Sequence, residues 1–178
     1  MNLMRRAVFL DRDGVINRAI VRNGKPYPPS SLVDLEILPG VYEALQKLHD
    51  ANYFLVVVTN QPDVARGAAK IEDIERINAF LSSRLPIDDF KTCYHDSRDK
   101  CSCRKPLPGA LIEAGKQHNI NLAKSFMVGD RWRDIEAGAS AGCKTFFINY
   151  SYKEKSPEAP DYVVLSLFEA VKIILGEF

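Results

Sequence analysis

Apolar residues along this chain follow two alternating rhythms. Arg6-Ala7-Val8-Phe9-Leu10 is a short apolar run broken by Asp11-Arg12-Asp13-Gly14, the pattern of a buried strand stopped by a charged turn. Tyr53-Phe54-Leu55-Val56-Val57-Val58 is longer and rich in β-formers, as a parallel strand covered on both faces requires. Ser125-Phe126-Met127-Val128-Gly129, Lys144-Thr145-Phe146-Phe147-Ile148 and Tyr162-Val163-Val164 repeat the signal. Between these runs the spacing becomes helical: Val41, Ala44, Leu45 and Leu48 after Pro39-Gly40; Ile74, Ile77 and Leu81; the apolar positions of 110–114 after Pro108; and a small-residue segment at 134–141 closed by Gly142. Ser166 with Glu169 three residues on is a capping-box signature ahead of a last helix that runs to about Leu175.

Alternation of strand and helix predicts an α/β fold, an open, mainly parallel Rossmann-like sheet with helices on both faces, in one domain spanning 1–178. Residues from about 17 to 38, with Tyr27-Pro28-Pro29-Ser30, read as an irregular flap holding at most a short extended piece, too small for a large cap domain. Residues 93–103 read as a loop. Ligands of such sheets sit at the carboxyl ends of strands, which singles out Asp11, Thr59 and Asp130.

Composition narrows the partners. At 178 residues the chain suits one sizeable core. Its 24 Lys and Arg against 23 Asp and Glu, net charge +1, call for no nucleic-acid or membrane surface, so a small molecule is the expected partner and a monomer the simplest state. Met1-Asn2-Leu3-Met4-Arg5-Arg6 leads into only four consecutive apolar residues, Ala7 to Leu10, before Asp11, too short a run for the apolar region of a secretory leader, and no apolar stretch reaches the roughly 18 residues that span a bilayer. A cytoplasmic location is expected. There, clustered cysteines read as metal ligands or reactive thiols before disulfides.

The candidate chemistry lies at the strand ends. Asp11 and Asp13, two apart, repel each other unless a divalent cation neutralises one and a proton the other, a division that suits a nucleophile and a general acid/base. Alone, Asp11-Arg12-Asp13-Gly14 also reads as a solvated turn. With it, however, Thr59-Asn60-Gln61 ends the second strand in hydrogen-bonding groups, Gly129-Asp130 ends a later one with Asp134 four residues on, and Lys105 supplies a compact positive charge for phosphate. Oxygen ligands of this kind suit magnesium, and the set fits phosphoryl transfer to a carboxylate.

Phe9-Leu10-Asp11-Arg12-Asp13-Gly14-Val15, followed by Thr59-Asn60-Gln61, Lys105 and Gly129-Asp130, resembles the haloacid dehalogenase superfamily of phosphatases over nearly the whole chain. The resemblance implies that Asp11 is the nucleophile and Asp13 the acid/base. It also implies that Thr59 and Lys105, with Asn60 beside them, hold the phosphate. Magnesium would then sit on Asp11, Asp130 and the backbone carbonyl of Asp13. Asp134 fits the later acidic motif, with its contact to the metal left open.

Cys93 and His95 are two apart, as are Cys101 and Cys103. Three thiolates and an imidazole satisfy a tetrahedral zinc ion with no position open to substrate, so the expected zinc is a structural clamp. Cys143 stands apart and reads as an ordinary buried residue. Arg104 and Lys105 follow Cys103 directly, so a folded loop would aim them at the phosphate site. This loop narrows the resemblance to a zinc-bearing branch that includes heptose bisphosphate phosphatases and histidinol-phosphate phosphatases. Ala65-Arg66-Gly67 and Lys105-Pro106-Leu107-Pro108-Gly109 resemble the heptose enzymes, whereas Pro62-Asp63-Val64 departs from their usual pattern. A heptose enzyme would release the C7 phosphate of a 1,7-bisphosphate, leaving a 1-phosphate for surface-glycan or lipopolysaccharide synthesis. Arg104 is the leading contact for the second phosphate; Arg66 either joins it or is solvated or paired with an acid. Arg12 and Arg131 adjoin the aspartates in sequence without a fixed direction.

Overall fold

A computed structural model describes residues 4–177. In chain order the elements are β1 (Ala7–Leu10), β2 (Ile20–Arg22), β3 (Lys25–Tyr27), α1 (Val41–Asp50), β4 (Phe54–Asn60), α2 (Ile71–Arg84), β5 (Asp89–Cys93), α3 (Gly109–Gln117), β6 (Phe126–Gly129), α4 (Trp132–Ala141), β7 (Lys144–Ile148), β8 (Tyr162–Val164) and α5 (Leu167–Leu175). Six strands form one parallel sheet in the order β5-β4-β1-β6-β7-β8. β2 and β3 pair separately as an antiparallel hairpin.

Strand alternation sorts the core into two layers. Val8 and Leu10 of β1, with Leu55 and Val57 of β4, face the apolar stripes of α1, α2 and α5, including Leu45, Leu48, Ile77, Leu81 and Val171. Ala7 and Phe9, with Val56 and Val58, face the other way onto Ala110, Leu111 and Ala114 of α3 and Ala137 of α4. Residues one apart therefore serve opposite layers, as a period of two demands. Among the described residues, no helix is long and apolar enough to cross a membrane.

Two features differ from the sequence pattern. Asp89–Cys93 is a strand at the edge of the sheet, so Cys93 closes β5 and does not lie in the loop. Four of its five residues are only half-buried, which removes the continuous apolar run that marked the central strands. The flap at about 17–38 contains the ordered hairpin β2–β3, held as a short two-stranded ribbon by pairs such as Ile20 with Tyr27.

β1 lies at the centre, with β4 on one side and β6 on the other. Chain order reverses there, which opens a crevice at the carboxyl ends of these three strands. The segments Asp11–Asp13, Thr59–Gln61 and Asp130–Asp134 all begin at this edge.

Candidate active site and metal clusters

Asp11, Asp130 and Asp134 are buried together, with carboxylate oxygens within 4.8 Å of one another. Two ionised carboxylates at that distance repel by about 3–4 kcal/mol at an effective dielectric near 20. Lys105, 2% exposed, offsets part of this: its ammonium donates to Asp11 Oδ1 at 2.9 Å and to the Val58 carbonyl at 2.6 Å, and lies 2.7 Å from Asp134 Oδ1. Burial alone would lower the Lys105 pKa, but the two carboxylates outweigh it and raise it. Three carboxylates and one ammonium leave two negative charges, the complement of one divalent cation. Burial, then the charge of Asp134, raises Asp11 to about 6 against the opposing pull of Lys105. Burial and the charges of Asp11 and Asp134 hold Asp130 well above the usual carboxylate range.

Asp130 Oδ1 is buried with no hydrogen-bond partner, while Oδ2 accepts the Tyr152 hydroxyl at 2.9 Å. An orphaned carboxylate oxygen on a member of a buried acidic cluster fits a hard cation such as magnesium. Two glycines make the close approach possible. A Cβ on Gly14, whose φ is +98°, would stand 1.9 Å from Asp130 Oδ2, and one on Gly129 would stand 2.1 Å from the Asp134 Cβ.

Asp13 lies outside this cluster. Its carboxylate accepts from Arg12 Nε at 3.1 Å and Nη2 at 3.2 Å, from Asn17 Nδ2 at 3.0 Å and from Gln61 Nε2 at 2.8 Å. The metal contact expected of Asp13 was through its backbone, and its side chain is free for another role. Asp134, left open by the sequence, is a full member of the acidic cluster. Its Oδ2 also accepts from the Arg131 backbone N–H at 2.9 Å, which ties the cluster to the start of α4.

The remaining expected residues divide. Thr59 is buried at the end of β4, its hydroxyl oxygen accepting from Gln61 Nε2 at 2.9 Å. Asn60 grips Lys105 from both ends: its amide nitrogen donates to the Lys105 carbonyl at 2.9 Å and its oxygen accepts the Lys105 N–H at 3.1 Å. Its side chain thus positions the lysine segment at the rim of the cleft. Arg12 is fully buried and turned inward onto Asn78 Oδ1 at 2.9 Å, holding Asp13 from behind.

A cleft of about 280 Å³ opens over Asp11, Asp13, Lys105 and Asp134. Arg104, Arg66, Arg131, Arg133 and Lys25 line it, with Tyr27 and its neighbouring prolines on the hairpin side. Arg104 Nη1 donates to the His95 carbonyl at 3.1 Å, so the metal-loop backbone holds it. Arg66 pairs with Asp63 at 3.2 Å. Arg131 is bonded to Glu154 through both Nε and Nη2. Burial, with Arg131 and Arg104 nearby, lowers the pKa of Arg133. Neither Arg133 nor Lys25 stood out in the sequence; the signal was only their place in the first turn after Asp130 and in the flap.

Cys93, His95, Cys101 and Cys103 bring their ligand atoms within 4.8 Å of one another. Cys93 Sγ lies 3.5 Å from His95 Nδ1 and 3.9 Å from Cys101 Sγ; His95 Nδ1 lies 3.3 Å from Cys103 Sγ. Bond lengths of about 2.3 Å to sulfur and about 2.0 Å to nitrogen in a tetrahedral zinc site require separations of roughly 3.5–3.8 Å. The cluster fits. Burial and the neighbouring Cys93 push the Cys103 thiol far up, so a deprotonated cluster needs a cation to hold it.

The family model for haloacid dehalogenase-like hydrolases matches residues 30–142. The chain belongs to that family. Within it, the D-glycero-beta-D-manno-heptose-1,7-bisphosphate 7-phosphatase of Helicobacter pylori is 34% identical over 160 residues, 86% of this chain and 89% of the relative. The enzyme of that name from Pasteurella multocida is 33% identical over 187 residues, 97% of this chain and 98% of the relative. Among solved structures, the D,D-heptose 1,7-bisphosphate phosphatase of B. bronchiseptica, complexed with magnesium and phosphate, superposes with a TM-score of 0.82 at 29% identity, covering 97% of this chain and 99% of that one.

Proposed function

We propose that this chain is a phosphoric monoester hydrolase that removes the C7 phosphate from D-glycero-β-D-manno-heptose 1,7-bisphosphate. The observation that carries the reading is the buried trio Asp11, Asp130 and Asp134 around the ammonium of Lys105, beneath a cleft lined with further cations. The relatives' names supply the sugar and its anomer.

In this reading Asp11 attacks phosphorus in line and becomes an aspartyl phosphate. Asp13, held by Arg12, Asn17 and Gln61, gives its proton to the departing C7 alkoxide and then takes one from the water that hydrolyses the phosphoaspartate. Thr59 and Lys105 bind the transferring phosphoryl group, and Asn60 keeps the Lys105 backbone in register. Asp11, Asp130 and Asp134, with the Asp13 carbonyl, would hold magnesium, which neutralises charge on the phosphoryl oxygens. Cys93, His95, Cys101 and Cys103 would hold zinc and so fix Arg104, whose guanidinium fork suits the distal 1-phosphate; Arg133 and Arg66 border the same space. Residues 1–178 act as one catalytic domain with 17–38 as its flap.

The test is phosphate release with magnesium from both anomers of the heptose bisphosphate and from histidinol phosphate. The β anomer should be preferred by about 100-fold in kcat/KM, near 2.7 kcal/mol of transition-state discrimination. Asp11→Asn should abolish turnover. Preference for histidinol phosphate would overturn the substrate, and an active Asp11→Asn would overturn the mechanism.

A further inference from the structure

The two oxygens of Asp130 are treated differently by the protein. The residue is 1% exposed; Oδ2 accepts the Tyr152 hydroxyl at 2.9 Å, and Oδ1 is buried without a partner. Rotation about the Cβ–Cγ bond would exchange them. The hydroxyl opposes that rotation and leaves one chosen oxygen bare on a carboxylate clustered with those of Asp11 and Asp134. Tyr152 follows β7 by four residues and is separated from Asp130 by 22, so nothing in the local sequence pattern announces the contact.

The segment that carries the hydroxyl is tied down at three further places. The Lys153 backbone N–H donates to the Gly24 carbonyl at 2.8 Å, at the turn of the β2–β3 hairpin. Glu154 accepts from Arg131 Nε at 2.9 Å, at the start of α4. Lys155 Nζ donates to Glu136 Oε1 at 2.8 Å. The Tyr150 ring packs beside that of Tyr152, with centroids 5.6 Å apart. A hydroxyl on so restrained a strap is preorganised.

We infer that Tyr152 is a positioning residue for the divalent cation, its hydroxyl orienting Asp130 so that Oδ1 faces the metal. The inference rests on the reading of Asp11, Asp130 and Asp134 as the magnesium cluster. Partners of metal ligands typically contribute 10–100-fold in affinity, and the same range applies here.

Titration calorimetry with magnesium chloride on the zinc-loaded chain tests it, using wild type, Tyr152→Phe and Asp130→Asn. The rise in Tm on adding magnesium serves as a second readout, since it compares each variant with its own metal-free form. Tyr152→Phe should bind magnesium about 10–100-fold more weakly, with a smaller rise in Tm and with kcat largely restored at saturating magnesium. Wild-type affinity in Tyr152→Phe, beside lost affinity in Asp130→Asn, would sink the inference and leave the metal reading intact. A kcat loss in Tyr152→Phe with unchanged affinity would sink it too. If wild type took up no magnesium, or Asp130→Asn bound it equally well, the metal reading would fall and the inference with it.

Discussion

Lys105 shows how much one buried charge decides. It sits at 2% exposure between Asp11 and Asp134, where its ammonium is the nearest positive charge to both carboxylates. Lys105→Met keeps the volume and removes the charge, leaving the buried acids uncompensated. The magnesium-free variant should lose about 3–5 kcal/mol of stability, the usual cost of breaking a buried ion pair from one side. Magnesium should return part of that loss, because it neutralises the same carboxylates. Urea unfolding with and without magnesium checks both statements, and equal stability of variant and wild type without metal would refute the electrostatic account. Asp11, Asp13, Lys105 and Asp130 were legible in the sequence because Asp11 and Asp130 follow strands directly, Asp13 lies two residues beyond Asp11, and Lys105 follows a cysteine pair. The groups that hold them were not. Arg12 reaches Asn78 across 66 residues, Gln61 reaches Asp13 across 48, and Tyr152 reaches Asp130 across 22. Local patterning records which way a strand faces, and contacts of that separation exist only after the strands have paired.

At the level of elements, the loop from Tyr94 to Cys103 would depend on a bound zinc ion. Ordering its ten residues costs about 10–20 kcal/mol of backbone entropy at roughly 1–2 kcal/mol each. A structural zinc contributes about 10–16 kcal/mol at neutral pH, the same order, so the loop should lose its order without it. Arg104 hangs on the His95 carbonyl, Lys105 on Asn60, and a Cβ on Gly109 would stand 2.2 Å from the Ser102 carbonyl. The loop therefore packs directly against the start of α3 and against the cations of the cleft. Zinc removal by a thiol-tolerant chelator should expose 94–104 to proteolysis and lower turnover, while the far-UV signal of the sheet and helices persists. Full activity in verified zinc-free protein would show that Arg104 and Lys105 are held by other means. The spacing of the four ligands made this element legible down to its residues. Its neighbour β5 was missed because an edge strand with half-exposed Asp89, Phe90, Lys91 and Thr92 carries no continuous apolar run.

For the whole molecule, charge is balanced globally and segregated locally. The net charge is only +1, yet Lys25, Arg66, Arg104, Lys105, Arg131 and Arg133 all line one cleft of about 280 Å³ against four acids, two of which, Asp11 and Asp134, belong to the buried acidic cluster. Such a field acts over about one Debye length, near 10 Å at 0.1 M salt, so it steers a ligand already at the cleft and not one approaching the far face. The flap contributes only a three-residue-per-strand hairpin, which leaves the cleft open and its rim cations exposed to salt. On the proposed reading a bisphosphate would engage the rim cations and Lys105 at once, whereas a small phosphate ester such as p-nitrophenyl phosphate would engage only Lys105. Raising ionic strength from about 0.05 to 0.5 M shortens the Debye length roughly threefold, and kcat/KM for the bisphosphate should fall far more steeply than for the small ester, through KM and with kcat nearly constant. Arg104→Ala should flatten the bisphosphate slope toward that of the ester. Parallel slopes for the two substrates in the wild type would mean that the rim cations serve only the protein's own acids, as Arg66 does with Asp63 and Arg131 with Glu154, and that the second phosphate is recognised by uncharged groups.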